Sequence, residues 1–164
     1  MQHIRLICVG QQEEPFVTEG ISLYEKRLRR FTRFEQISGG PPARNQRDKA
    51  DPVRMAAEEA VWIRKQRLER SRLVLLDEQG TSFDSRGFAH WLQATAAAGH
   101  GKLDFVIGGA YGLDATLRSE AHQMISLSSL TFTHQMARLI FVEQLYRAFT
   151  QIHNLPYHHE GTLS

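Results

Sequence analysis

Apolar and polar positions along the chain follow two periods in turn. His3–Val9 is a short, largely apolar run closed by Gly10, the pattern of a buried strand. Phe16–Phe31 has helical spacing, with Phe16, Ile21, Tyr24, Leu28 and Phe31 near one face. Phe34–Ser38 reads as a short strand. Residues 39–52 hold three prolines and two glycines among mixed charges, which predicts a loop. Asp51 is placed to cap a helix with Pro52 at its first position, running to about Arg70. Leu73–Leu76 is a wholly apolar strand ending at Asp77, and Asp84 or Ser85 caps a helix to about Ala98. Leu103–Ile107 is another apolar strand, ended by Gly108 and Gly109. Met124–Leu130 reads as a last short strand, and Thr133 caps a long helix to about His153.

Apolar strands alternating with helices predict an α/β fold: one parallel sheet covered on both faces. Ligands of such sheets sit at the carboxyl ends of the strands. The informative places are therefore Leu76–Asp77, Gly108–Gly109 and Ser126–Thr133.

The length of 164 residues suits a single domain able to bury a core without staples. The chain has one cysteine, Cys8, which gives neither a disulfide framework nor a zinc site and points to a reducing compartment. The N-terminal apolar run is too short for a signal peptide, and no stretch approaches the about 20 apolar residues of a membrane span. The expectation is a cytoplasmic protein without a membrane partner. Net charge is only +2, but it is uneven: Lys26 to Arg72 holds 14 Lys and Arg against 6 Asp and Glu. Either a nucleic-acid-facing half or a pair of solvated helix faces accounts for that asymmetry.

Gly108-Gly109-Ala110-Tyr111-Gly112 follows a strand directly. Three glycines in five positions permit a sharp turn and close approach to a ligand, or simply a tight structural turn. The spacing is neither the dinucleotide fingerprint nor a P-loop. The segment 126–133 is rich in small hydroxyl residues and offers backbone groups to a ligand, or a plain strand-to-helix cap. Arg138 near the start of the last helix opposes the helix dipole, which makes it a candidate for an anion or substrate contact, with a solvated arginine as the alternative. Glu143 and Arg147 are spaced to pair. His153, His158 and His159 match no zinc spacing, so no metal is expected.

LLDEQG at 75–80, DFVIGGAYGL at 104–113, SLSSLTFTHQMARLIFVEQLYRAF at 126–149 and PYHHE at 156–160 together resemble the 23S ribosomal RNA pseudouridine N3-methyltransferases, small enzymes of the SPOUT class. The resemblance spans the chain. It is most specific over the last 60 residues or so and loosest between about 35 and 70. Two positions depart from it: Thr133 stands where many members have proline, and His159 where many have Lys or Arg.

The resemblance implies one domain over 1–164, with a deep trefoil knot and cofactor site at about 73–155 and a tail at 156–164. Knotted chains are rare, and no periodicity foretells one. It implies S-adenosylmethionine held by Leu76, Gly108, Gly109 and the run Leu127, Ser128, Ser129, Leu130, Thr131 and Phe132. It also implies a homodimer in which the partner's tail, with Tyr157 and His158, completes the site, and the ribosome or its large subunit as substrate.

Methyl transfer to an imide nitrogen needs alignment and loss of a proton. Arg138 is the candidate to hold the anionic base or a phosphate. His134, Tyr157 and His158 are candidates to handle the proton. Arg29, Arg30 and Arg33 would supply phosphate contacts. A non-catalytic ribosome assembly factor with the same fold is the alternative.

Overall fold

The computed structural model describes residues 1–11, 14–41 and 51–157, together with the backbone of 158 and 159. In chain order the elements are β1 (Gln2–Val9), α1 (Pro15–Leu28), β2 (Thr32–Gly39), α2 (Pro52–Gln66), β3 (Arg72–Ser82), α3 (Ser85–Ala98), β4 (Lys102–Ile107), α4 (Ala115–Glu120), β5 (Gln123–Ser126) and α5 (His134–Ile152), followed by a 3₁₀ turn at Pro156–His159. The strands form one sheet in the order β2-β1-β4-β3-β5, and every pairing is parallel.

Alternation along the strands sorts the core into two layers. Ile4, Leu6 and Cys8 of β1, with Leu103, Phe105 and Ile107 of β4, face α1, α3 and α5. Ile7, Val9, Leu73, Leu75 and Val106 face α2 and α4. Two covered faces are what runs without polar alternation require. Gly20 lets α1 and α5 approach closely, since a Cβ there would stand 2.6 Å from Leu139 Cδ1.

Several boundaries differ from the sequence reading. α1 ends at Leu28, and its buried positions are Val17, Ile21 and Leu28, while Phe16 is exposed. α2 stops at Gln66 rather than Arg70. The buried carboxylate of Asp104 accepts a hydrogen bond from Leu68 N at 2.9 Å and another from the Ser71 hydroxyl, and Arg5 Nη1 donates to Gln66 O at 2.5 Å. These partners end the helix where they capture its last backbone groups. β5 ends at Ser126 rather than Leu130. The Ser126 hydroxyl donates to Ser128 O at 3.0 Å and Leu130 N donates to Ser128 Oγ at 3.0 Å, which turns the chain out of the sheet. α4, capped by Asp114, is six residues long, too short to register as a period. Most of the loop expected over 39–52 lies outside the described residues.

β3 runs past Leu76 to Ser82, and its ladder to β5 shifts register between Leu76 and Thr81, both opposite Ile125. Residues 77–80 bulge out of the sheet. A Cβ at Gly80 would lie 2.5 Å from Ile125 N, a collision with backbone that only glycine avoids.

At the edge strand, Glu35 accepts from Arg5 Nη2 at 2.7 Å and from Arg33 Nε at 2.9 Å. Burial acts against the charge, but these hydrogen bonds prevail and hold the carboxyl down at about 2, from an ordinary 4.5. A depressed carboxyl stabilises the fold above its unfolded value and loses that contribution as pH falls through the folded one. Urea unfolding of the native protein and E35Q across pH is expected to show a stability gap that is constant above pH 4.5 and closes as pH falls toward 2. A gap independent of pH would contradict this account.

Candidate functional site

The carboxyl ends of β3, β4 and β5 open onto a cleft of about 310 Å³, floored by Leu76, Ile107 and Ser126. One wall is the glycine turn after β4, closed by a bridge between Gly109 and Gly112, with Gly112 N donating to Gly109 O at 3.2 Å. Gly112 has a φ of +79°, in the left-handed region that favours glycine. A Cβ at Gly108 would stand 2.8 Å from Leu113 Cδ2, so glycine there admits the leucine that lines the cleft beside it. The opposite wall is the segment after β5. Thus the two stretches singled out in the sequence face each other across one space.

Leu76, Gly108, Gly109, Leu127, Ser128, Leu130, Thr131 and Phe132 all line that cleft, whereas Ser129 is not among its lining residues. The bulge of β3 adds Asp77, at a strand end already marked as informative, and Glu78, which was not expected. Asp77 is held on both oxygens: Oδ1 accepts from Gln79 N at 2.9 Å and Oδ2 from Arg118 Nη2 at 2.9 Å. The signal for them in the sequence was the acidic pair directly after an apolar strand. Leu113 and Ala137 were likewise missed, being apolar residues whose place depends on the turn geometry.

The proton-handling candidates divide into two groups. His134, the first residue of α5, stands on the cleft. Partial desolvation, and then the charge of Arg138 one turn on, hold its imidazole below the usual 6.5. It is therefore neutral near pH 7 and able to accept a proton.

Arg138 is not a solvated arginine. It is 1% exposed and lies behind the cleft wall, with Nη2 donating to Val9 O at 3.2 Å and Gly10 O at 3.0 Å, and Nη1 to Ser38 Oγ at 3.3 Å. These carbonyls lie at the carboxyl end of β1, where the ladder is closing. α5 is long enough, and packed closely enough against α1, to carry a guanidinium to them.

Tyr157 lies elsewhere. Its hydroxyl meets Tyr24 Oη at 3.2 Å and Glu143 Oε1 at 3.2 Å, and its ring packs edge-on against Tyr146. Glu143 also accepts from Arg147 Nη2 at 2.6 Å, the pairing expected from their spacing. Glu143 is roughly 13 Å along α5 from His134, and none of these partners lines the cleft. Burial first, then the Tyr24 hydroxyl and the Glu143 carboxylate, raise the Tyr157 phenol well above its ordinary 10. Tyr157 therefore keeps its proton near neutral pH. The backbone of His158 lies in the 3₁₀ turn, and its side chain is outside the described residues.

Among the described residues no three His, Cys, Asp or Glu gather as metal ligands would, and no helix is long and apolar enough to cross a membrane.

A parallel sheet with a glycine turn and a hydroxyl-rich loop closing on one cleft at its carboxyl edge agrees with the SPOUT methyltransferase class that the chain's motifs resemble. The chain belongs to that family: the family model described as "Predicted SPOUT methyltransferase" matches residues 2–158. It is 36% identical over 156 residues to a protein of Streptococcus pyogenes serotype M12 (strain MGAS2096) named "Ribosomal RNA large subunit methyltransferase H", covering 94% of this chain and 98% of the relative. A protein of the same name from Geotalea uraniireducens (strain Rf4) is 39% identical over 156 residues, covering 95% and 99%.

Replacing Arg138 by methionine removes the donor to the carbonyls of Val9 and Gly10. Unfolding experiments on R138M are expected to show a loss of about 1–3 kcal/mol, in keeping with one buried acceptor left unmatched at Val9, the exposed Gly10 carbonyl being open to solvent. In the folded variant the His134 titration, followed by NMR, is expected to move up toward 6.5. An unmoved titration would mean that the Arg138 charge does not reach the imidazole.

Proposed function

We propose that this protein uses S-adenosylmethionine to methylate large-subunit ribosomal RNA, at N3 of a pseudouridine, and that it does so as a cytoplasmic homodimer with a knotted C-terminal half. The observation that carries this reading is the single cleft shared by the glycine turn and the segment after β5. The names of the relatives supply the RNA, and the resemblance of the chain's motifs supplies the nucleotide.

The residues present fit the cofactor. Leu76, Leu113 and Leu127 offer an apolar surface for an adenine ring, and the strand ends offer backbone amides and carbonyls that the sheet does not use. Asp77, fixed by Arg118, is an acceptor suited to hydroxyl groups. When bound, S-adenosylmethionine supplies a methyl group already activated on a positively charged sulfur, so the chain's task is placement and the handling of one proton.

His134 is the residue of this chain positioned to take that proton, through a ring nitrogen that is unprotonated near neutral pH. Arg138 assists from behind: it fixes the end of β1, and its charge adds to desolvation in holding His134 below its usual value. Its place in the chemistry is thus support, and its buried guanidinium is bonded to backbone rather than turned toward a phosphate.

Tyr157, in the turn after α5, packs beside Glu143 and away from the cleft of its own chain, which favours a site completed by the tail of a second copy. Tyr157, holding its proton, would donate its one hydrogen bond to a target carbonyl or phosphate in place of Glu143. Arg29 and Arg30, exposed at the end of α1, supply phosphate contacts. Arg33 is less available, because it is paired with Glu35 at 2.7 Å.

Large subunits lacking the modification, incubated with the protein and labelled S-adenosylmethionine, are expected to take up label at one nucleotide that mapping identifies as a pseudouridine. Unlabelled subunits, with the cofactor bound, would leave a binding factor without turnover. H134A is expected to lower kcat by about 10²-fold, within the range for a general base, while cofactor affinity stays within about twofold. A variant with full turnover removes His134 from the mechanism.

A further inference from the structure

Glu59 breaks the apolar stripe of α2. It sits between Met55 and Ile63 at four-residue spacing, with Ala56 and Ala60 beside it, and is only 6% exposed. A carboxylate in that position needs a partner, because its burial without one is costly. The partner is the backbone of the glycine turn: Glu59 lies against Gly109, whose amide favours the charged carboxylate. A Cβ built on Gly109 would stand 2.7 Å from Glu59 Oε1 and 3.1 Å from Oε2, so the carboxylate lies directly against the glycine. Val9 Cγ1, 3.0 Å from the same point, closes the space from the β1 side.

The ladder between β4 and its neighbours ends at Ile107, so the sheet provides no strand partner for Gly109. Gly109 lines the cleft in front, and Glu59, absent from the cleft lining, holds it from behind. Burial raises the Glu59 carboxyl above its ordinary value, while the Gly109 amide opposes that shift.

We propose that Glu59 is a positioning residue for methyl transfer: by anchoring the Gly109 amide it fixes the glycine turn on which the cofactor rests. The inference depends on the reading that this cleft holds S-adenosylmethionine. Glycine restricts its own peptide least of all residues, so the turn needs an outside tether to keep one shape. With the anchor gone, Gly109 is held only by its bridge to Gly112, and the backbone surface offered to the cofactor changes.

A merely structural role gives different kinetics. Partial unfolding removes active molecules, which lowers kcat and leaves KM alone, whereas a loosened turn raises KM for the cofactor and leaves kcat. Calorimetry with S-adenosylmethionine and steady-state assays on large subunits are to be run on the native protein, E59L and E59Q. E59L fills the space without an acceptor, and its Kd and KM are expected to rise about tenfold, with kcat within about twofold. E59Q keeps an acceptor oxygen and is expected to recover most of that lost affinity. Native affinity in E59L, or a fall in kcat at unchanged KM, overturns the proposal.

Should E59L fail to fold, the native protein decides by NMR. The Gly109 amide proton is expected to shift with a carboxyl titration centred above the ordinary 4.5, and to lose that titration in E59Q, which separates Glu59 from Asp77, Glu78 and His134 nearby. A Gly109 amide indifferent to pH overturns the anchor. If the native protein binds no S-adenosylmethionine, the cofactor reading fails instead, and the amide titration still judges the anchor on its own.

Discussion

The guanidinium of Arg138, buried against the carbonyls of Val9 and Gly10, answers a problem common to every parallel sheet that carries a site at its carboxyl edge. Strands end there to make room, and at and beyond the last ladder pairs their backbone groups need other partners. Each stranded group would cost about 1–3 kcal/mol. This fold meets the cost with long charged side chains brought from both helical layers. Arg138 comes from α5 to the end of β1, and Glu59 comes from α2 to the turn after β4. The glycines permit the close approach, and the charged groups make it definite.

Much of this architecture was legible in the sequence. Runs such as Leu73–Leu76 and Leu103–Ile107 are apolar at every or nearly every position, which leaves no exposed face and so requires helices on both sides. Asp51, Asp84 and Thr133 were readable as caps because capping is local chemistry, and each accepts a hydrogen bond from an amide three residues on. The cleft walls were readable because glycine and hydroxyl residues clustered just past strand ends.

What escaped the sequence depends on contacts between distant segments. The end of α2 is set by Asp104 and Arg5, which lie 36 and 61 residues away from the groups they hold. The bulge at 77–80 exists because two stretches of β3 both pair with Ile125, and nothing within the segment announces this. Arg138 and Glu59 are the clearest cases. Charged residues are normally read as exposed, and only the placement of β1 and β4 turns these two inward. Tyr157 is a third. Its motif was recognisable, yet its position beside Glu143 and away from the cleft is a fact of how the tail after α5 folds back onto Glu143 and Tyr146.

Cys8 lies at the centre of all this, wholly buried in β1, with burial pushing its thiol up to about 12 against the lesser pull of Arg138. The strand has neighbours on both sides and helices on both faces, so no small excursion uncovers the sulfur. Because the chain contains no other cysteine, a thiol-directed reagent has one point of attack, and reaching it requires the middle of the sheet to come apart. The rate of alkylation under native conditions therefore measures how often the centre of the sheet opens, a built-in clock for a rare motion.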